Sequence, residues 1–428
     1  MKVAIVHDYI KEYGGAERVL ETLHEIYPDA RVFTSVYLPE FLGPHRERFK
    51  NWDIRTSWFQ RIPLNAKLIS PFRIIAPFVF SQFDFSKFDV VIVSSTGAYV
   101  KKFKIPHFTI PLRQDFEGQE VSRGRQKSKI KVIVYCHTPP RYLYGYATAR
   151  EWRKNIIFRI LGSVANHFLR LIDFKSAQNV DYFIANSKEV ESRIKKFYRR
   201  EATVVYPPVN TIDDRKSKIE NSNLKIESRS LINSQSSTFK NQSSTFYHLS
   251  SKSYFLAGGR LARAKHTDLI IEACGRLSLP LKVFGKGFAN TNIKYQIKNK
   301  KSKIEYLGEV SDEEKYELMK NAKAYIFASE DEDFGITPVE AMSVGTPVIA
   351  YRSGGVKETV IDGKTGIFFD ELTVEGLSKA IEQFNNAIIN SKDCIHQARK
   401  FSKERFRDEI ENFVNAKCKD NIEYRKNS

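Results

Sequence analysis

Short apolar runs recur along most of this chain, each ended by glycine or polar residues and followed by a stretch with helical spacing. Val3 to Val6 is the first. It ends at His7-Asp8, a loop with Gly14-Gly15 follows, and from Ala16 to Ile26 the residues Val19, Leu20, Leu23 and Ile26 keep helical spacing. Strand, glycine loop and helix in that order begin a βαβ unit. Val90 to Ser94, Val132 to Cys136, Tyr182 to Ala185 and Val204 to Tyr206 are the next predicted strands. Runs that are apolar throughout belong in a parallel sheet covered on both faces.

Tyr206-Pro207-Pro208-Val209 interrupts the series, because two prolines favour an extended connection. Residues 212–253 hold 12 serines, no glycine and few large apolar side chains, so they are predicted to be a disordered insertion over 210–253. A pentapeptide, Lys-Ser-Lys-Ile-Glu, occurs at 216–220 and again at 301–305, but two copies without a period do not make a repeat architecture. A second series starts at Tyr254. Its predicted strands are Tyr254 to Ala257, Leu281 to Phe284, Ile304 to Leu307, Ala324 to Ala328 and Val348 to Tyr351. The expected architecture is α/β, with doubly wound halves at 1–209 and 254–405 and a closing helix over 406–428 that packs back toward the first half. Ligands of such sheets sit at the carboxyl ends of the strands, so the expected site is the cleft between the halves.

Composition narrows the function. The 428 residues carry a net charge of +19 and a pI near 9.5, which asks for an anionic partner: nucleic acid, a membrane surface or a phosphorylated substrate. Four well-separated cysteines make neither a disulfide framework nor a zinc cluster. The best apolar stretch, Phe72 to Phe83, contains Arg73 and Pro77 and is too short to span a bilayer. The N-terminus reads as a strand, not a signal peptide, and the expected location is cytoplasmic with reduced thiols.

Several short segments carry the candidate chemistry. Residues 330–340 (EDEDFGITPVE) follow a strand and open a helix, with Thr337 as expected N-cap and Pro338 at the first helical position. The free N–H groups of that helix start suit a phosphate. Glu332 and Glu340, eight apart, suit sugar hydroxyls. Two plainer readings stand beside these: Thr337-x-x-Glu340 is a capping box, and Glu332 taken alone is a solvated loop carboxylate. In 258–265 (GGRLARAK), Arg260 as a planar fork and Lys265 as a point charge suit a diphosphate, or else form a solvated basic loop. Gly285-Lys286-Gly287 is a weaker glycine turn, and no Walker pattern is present. In the first half, Gly14-Gly15 permits close backbone approach or makes a plain turn. His137 at a strand's carboxyl end can hydrogen-bond a sugar hydroxyl or serve only structure.

The ordered set Gly14-Gly15-Ala16-Glu17-Arg18, His137, Ala185-Asn186-Ser187, Tyr206-Pro207-Pro208-Val209, Gly259-Arg260-Leu261 with Lys265, Glu332 with Glu340, Gly345 to Ala350, Gly354-Gly355 and Asp362 to Gly366 resembles glycosyltransferase family 4. The resemblance covers most of the chain outside 212–253 and 104–131. The wording YCHTPPRY at 135–142 and EDFG at 332–335 is most similar to a bacterial subgroup that includes O-antigen mannosyltransferases. It implies the GT-B fold, two facing Rossmann-like domains with a cleft between them, and a retaining transferase whose donor is a nucleotide-diphospho-sugar, GDP-mannose first. Glu340 would hold ribose hydroxyls. Arg260 and Lys265 would bind the diphosphate, with Ile336 and Thr337 at the helix start. Glu332, with the backbone around Phe334 and Gly335, would hold the sugar, His137 would contact it near the reacting centre, and Gly14 and Gly15 would line the site. The chain departs from many relatives at His266, where another basic residue follows the lysine.

No metal or other cofactor is expected, since Arg260, Lys265 and the helix start near Thr337 would already supply the positive partners a diphosphate needs. The implied acceptor is a glycan or a polyprenyl-diphosphate-linked chain, used in making cell-surface polysaccharide. Phe59 to Phe83 and Trp152 to Ile172 mix aromatic, aliphatic and basic residues, which suits peripheral contact with an anionic inner membrane face or completion of the first core. Two alternatives remain: a sugar-nucleotide epimerase on the same fold, and a basic nucleic-acid-binding protein. No nucleic-acid motif accompanies the charge, so nucleic acid is not an expected partner.

Overall fold

The computed structural model describes residues 1–69, 76–95, 130–146, 156–211, 253–259, 261–285 and 303–426. Arg260, Lys286, Gly287, the 212–252 stretch, the 121–129 basic run and Trp152 lie outside them. The described chain divides into two compact units. One takes in residues up to Tyr206 and those from Arg407 onward, and the other is Pro207–Phe406.

The first unit holds a seven-stranded, wholly parallel sheet. Its strands are β1 (Val3–His7), β2 (Arg31–Thr34), β3 (Ile54–Thr56), β4 (Val90–Ser95), β5 (Lys131–Cys136), β6 (Tyr182–Ala185) and β7 (Thr203–Val204). The order is β3-β2-β1-β4-β5-β6-β7, so the winding reverses between β1 and β4. Every residue of β1 and β4 is buried, as the apolar runs require when helices cover both faces. The second unit repeats the plan with β8 (Phe255–Gly258), β9 (Leu281–Phe284), β10 (Ile304–Gly308), β11 (Tyr325–Phe327), β12 (Val348–Tyr351) and β13 (Gly366–Phe369). Its order is β10-β9-β8-β11-β12-β13, again all parallel, with the reversal between β8 and β11.

Three strands go beyond the sequence reading. β2 and β3 stand at one edge of the first sheet and β13 at an edge of the second. Their sequences, RVFT, IRT and GIFF, contain charge or glycine and are too short to register as apolar runs. The strand expected over Val204 to Tyr206 is only Thr203–Val204, because the prolines that follow stop the ladder. Val209 is instead bridged to Ser402 inside the second unit. The last helix begins at Lys403, three residues earlier than expected. Within the first unit it buries Ile410, Val414 and Cys418, four residues apart, and sets Phe413 against Tyr182 at 6.1 Å between ring centroids.

In the segment from Phe59 to Phe83, Phe59, Phe80 and Phe83 are buried in the first core while Leu64 and Phe78 face solvent. Helix Ile156–Gln178 buries Asp173, whose carboxylate accepts from the hydroxyls of Tyr144 and Tyr198. Its opposite face leaves Ile160, Val164, Phe168 and Leu171 exposed.

Candidate active site

In doubly wound sheets the loops diverge where the winding reverses, and a crevice opens at the carboxyl ends of the strands. In the second unit that point is reached by the loop after β8 and the loop after β11. The first loop is held tightly. Gly259 donates to the Phe284 carbonyl at 3.2 Å with φ at +108°, and a Cβ at Gly285 would run into the Gly259 carbonyl. Glycine at both positions therefore lets two strand ends meet backbone to backbone. A 3-10 turn at Arg263–Lys265 follows, and its Ala262 and Ala264 backbones set the direction of Lys265.

Lys265 Nζ donates to Glu332 Oε2, which also accepts from Ser329 Oγ at 2.6 Å. The ammonium lies 4.9 Å from the centre of the Phe327 ring. Both partners are part-exposed, at 28% and 18% of their side chains, so the pair is accessible to a ligand. His266 Nε2 lies 3.3 Å from Glu330 Oε2, and the Glu330 N–H donates to the Ala264 carbonyl at 2.9 Å. These contacts tie the two loops together. The glutamate loop is fixed from its other side by Gly355, whose N–H donates to the Glu332 carbonyl at 2.7 Å. Gly354 has φ at +66°, and a Cβ there would overlap that same carbonyl. The Gly354-Gly355 pair read from the sequence thus has a structural role, since it lets a second loop press against Glu332.

Helix Ile336–Ser343 opens next, and here the sequence reading is corrected. Gly335, in the left-handed region at φ +88°, is the N-cap, not Thr337, and Pro338 stands at the third helical position. Proline is tolerated there because N–H groups of the first turn have no partner within the helix. The capping-box reading of Glu340 fails as well. Its Oε1 accepts from Lys315 Nζ at 2.8 Å and from the Tyr316 hydroxyl at 3.2 Å, and it is 1% exposed. Lys315 also reaches Asp312 Oδ1 at 2.8 Å. A buried lysine between two carboxylates is the arrangement in which buried charges survive. Phe334 is buried against Phe401, 5.4 Å between centroids, so what it offers a ligand is backbone. Ile336 and Thr337 are half-buried at the helix start.

The first unit presents a second polar centre, again where its sheet reverses. His7 ends β1 and is paired in register with Ser94 of β4. Ser94 Oγ lies 3.2 Å from His7 Nδ1 and 2.8 Å from His137 Nε2, one residue past β5. Ser95 Oγ donates to Asp8 Oδ1 at 2.8 Å. Glu17 accepts from the Gly14 N–H at 2.9 Å and sets its other oxygen 3.7 Å from His7 Nε2. Burial, with His7 nearby, pushes the His137 imidazolium down to a pKa of about 3, so the ring is neutral at physiological pH. Gly14 is extended and caps helix Gly15–Ile26, and neither Gly14 nor Gly15 has a positive φ. Their use is close approach, not a left-handed turn.

The structure therefore brings Lys265, Glu332, Gly335, Ile336 and Thr337 to one strand end, with Glu340 one helical turn on. His137, Gly14 and Gly15 belong to the other unit. The sequence reading passed over His7, Ser94 and Glu17 as chemistry, although polar residues closing all-apolar strands were a usable signal. Lys315 had none, because its role depends on two helices packing together. Among the described residues no group of three His, Cys, Asp or Glu side chains is placed to hold a metal.

Residues 241–401 match the family model described as Glycosyl transferases group 1. In sequence the chain is similar to glycosyltransferases of the family 4 kind. Over 338 residues it is 28% identical to the alpha-1,3/1,6-mannosyltransferase ALG2 of Dictyostelium discoideum, covering 72% of this chain and 70% of that protein. Among solved structures, it is similar to Anabaena HepE in complex with UDP at a TM-score of 0.60 and 16% identity, covering 97% and 100% of the two chains. The sucrose-phosphate synthase of Thermosynechococcus elongatus matches at 0.63 and 14%, over 97% and 99%. These likenesses show the α/β GT-B fold.

Proposed function

We propose that this protein is a glycosyltransferase that moves a hexose from a nucleotide-diphospho-sugar to a glycan or polyprenyl-diphosphate-linked acceptor, with retention at the anomeric carbon. Mannose from GDP-mannose is the leading donor, a choice supported by the similarity to a mannosyltransferase. The observation that carries the reading is the Lys265–Glu332 pair set beside a helix start. A departing diphosphate develops negative charge and needs fixed positive partners. Lys265 Nζ is one, the N–H groups at Ile336 and Thr337 are others, and Arg260 is assigned the same part by its motif. Phosphate drawing Lys265 away releases Glu332 to accept from sugar hydroxyls. Ribose hydroxyls would join or replace Lys315 and Tyr316 at Glu340.

In the transfer, the bond from the anomeric carbon to the diphosphate oxygen breaks with its electron pair going to the phosphate. The acceptor oxygen attacks the same face, and its proton passes to the leaving phosphate oxygen. No protein nucleophile and no cofactor take part. The direct test incubates the full chain with a panel of nucleotide-sugars and a lipid-linked acceptor, and reads products by mass spectrometry and anomeric configuration by NMR. The reading predicts an α-linked mannosyl product from GDP-mannose. An inverted linkage overturns retention, and donor converted without acceptor would instead favour an epimerase.

A membrane-borne acceptor is supported by the exposed stripe on helix Ile156–Gln178, which has basic Arg170 and Lys175 also exposed beside it. An apolar ridge with cations suits the surface of an anionic bilayer. No helix among the described residues is long and apolar enough to cross one. Flotation with anionic liposomes, but not with neutral ones, is the expected result, and Phe168→Ser should weaken it.

A further inference from the structure

Four side chains in the first unit form a continuous, buried chain: Glu17, His7, Ser94 and His137. Each is at most 7% exposed. Carboxylate Oε1 of Glu17 lies 3.7 Å from Nε2 of His7. A negative charge at that distance favours the proton on Nε2 over Nδ1. Nδ1 of His7 is then a lone pair, and it accepts from the Ser94 hydroxyl at 3.2 Å. With its proton committed to His7, the Ser94 oxygen has only lone pairs left for Nε2 of His137 at 2.8 Å. That nitrogen must therefore carry hydrogen. Burial keeps the ring neutral, so its one proton is already used. Nδ1 of His137 has no hydrogen-bond partner among the described residues.

We propose that Glu17, His7 and Ser94 are positioning residues that hold His137 as the Nε2–H tautomer, so that its Nδ1 meets a substrate hydroxyl as an acceptor. The hydroxyl's identity as part of a sugar rests on the function proposed above; the tautomer does not. Glu17 acts twice in this scheme. One carboxylate oxygen fixes the Gly14 N–H at the helix start, and the other polarises the relay. The GGAE segment at 14–17 thereby sets the chemistry of a histidine more than a hundred residues away in sequence.

The test is 15N-histidine NMR on the full chain at neutral pH, with the His137 signals assigned by their loss in His137→Gln. The expected wild-type pattern is protonated Nε2 and bare Nδ1 on both rings. Ser94→Ala should turn His137 into a tautomer mixture, and Ser94→Thr should restore a single form. Glu17→Gln should relax His7 first. A His137 protonated at Nδ1 in the wild type, or one unchanged in folded Ser94→Ala, overturns the relay. In transfer assays Ser94→Ala should lower kcat about tenfold or more with donor KM changed less than about threefold, as the loss of an orienting partner does. Equal change in both constants would mark a purely structural role. The predicted tautomers without transfer from any nucleotide-sugar would keep the relay and overturn the substrate reading.

Discussion

The two units share a winding plan and place polar residues at the same point of it, yet they solve the electrostatics in opposite ways. Where the first sheet reverses, His137 is linked in line to a serine and a second imidazole, all buried, with the Glu17 carboxylate at the far end of that line. Where the second sheet reverses, the partners are acid–base pairs: Lys265 with Glu332 part-exposed, and Lys315 with Glu340 more deeply set, with Asp312 at its rim. A buried hydrogen-bonded network around an uncharged imidazole is held in place by its burial. A part-exposed ion pair contributes little to stability and can be exchanged for another anion. On the function proposed above, the difference separates a centre that orients from a centre that binds.

The comparison breaks first at Lys265. If the pair exists to be exchanged for a diphosphate, Lys265→Ala should cost about 10²–10³-fold in kcat/KM, the scale of losing one fixed donor to a developing oxyanion. The Tm should fall by no more than about 3 °C, because an exposed pair holds little of the fold. Arg260→Ala should behave alike in activity. A large loss of Tm with activity retained would show that the charges serve structure, and would erase the contrast with the first unit.

Lys315 lies deeper, and its loss should read as stability. Lys315→Met removes the cation from a carboxylate that is 1% exposed, at a cost of about 3 kcal/mol. For a unit of this size that is roughly 6–12 °C in Tm. Adding Glu340→Gln should recover more than half, since the penalty comes from the stranded charge. A single variant within about 2 °C of wild type would mean that Glu340 does not depend on Lys315. Gly354→Ala should cost about 2 kcal/mol through strain at a positive φ and the close approach to Glu332, and should lower donor affinity with it.

The sequence made the sheets legible wherever a strand is buried on both faces, as β1, β4 and β5 are. It failed at β2, β3 and β13, whose short segments mix apolar residues with charge or glycine. The glycine loops and the two glutamates were readable because they are local. Thr337 was misread as a cap because a left-handed glycine two residues earlier already starts the helix. The partners of Glu340 were unreadable, since helix Asp312–Asn321 must first pack against helix Ile336–Ser343 to deliver Lys315. His7, Ser94 and His137 come from three strand ends and meet only when the parallel register aligns them.

The smallest expected effect tests the neutral centre by acid. His137 has its folded pKa pushed down to about 3, against about 6.5 for an unfolded histidine. The unfolded chain therefore takes up a proton first as pH falls, and stability drops with it. The contribution is complete above about pH 6.5 and is lost progressively from there toward pH 3. Between pH 7 and pH 5 the loss is about 2 kcal/mol, or roughly 4–8 °C in the Tm of the first unit. His137→Gln has no proton to take up, so its Tm should fall less steeply over this interval by about that amount. Parallel acid slopes for the two proteins would mean that His137 is as easily protonated folded as unfolded, and the neutral relay would lose its physical basis.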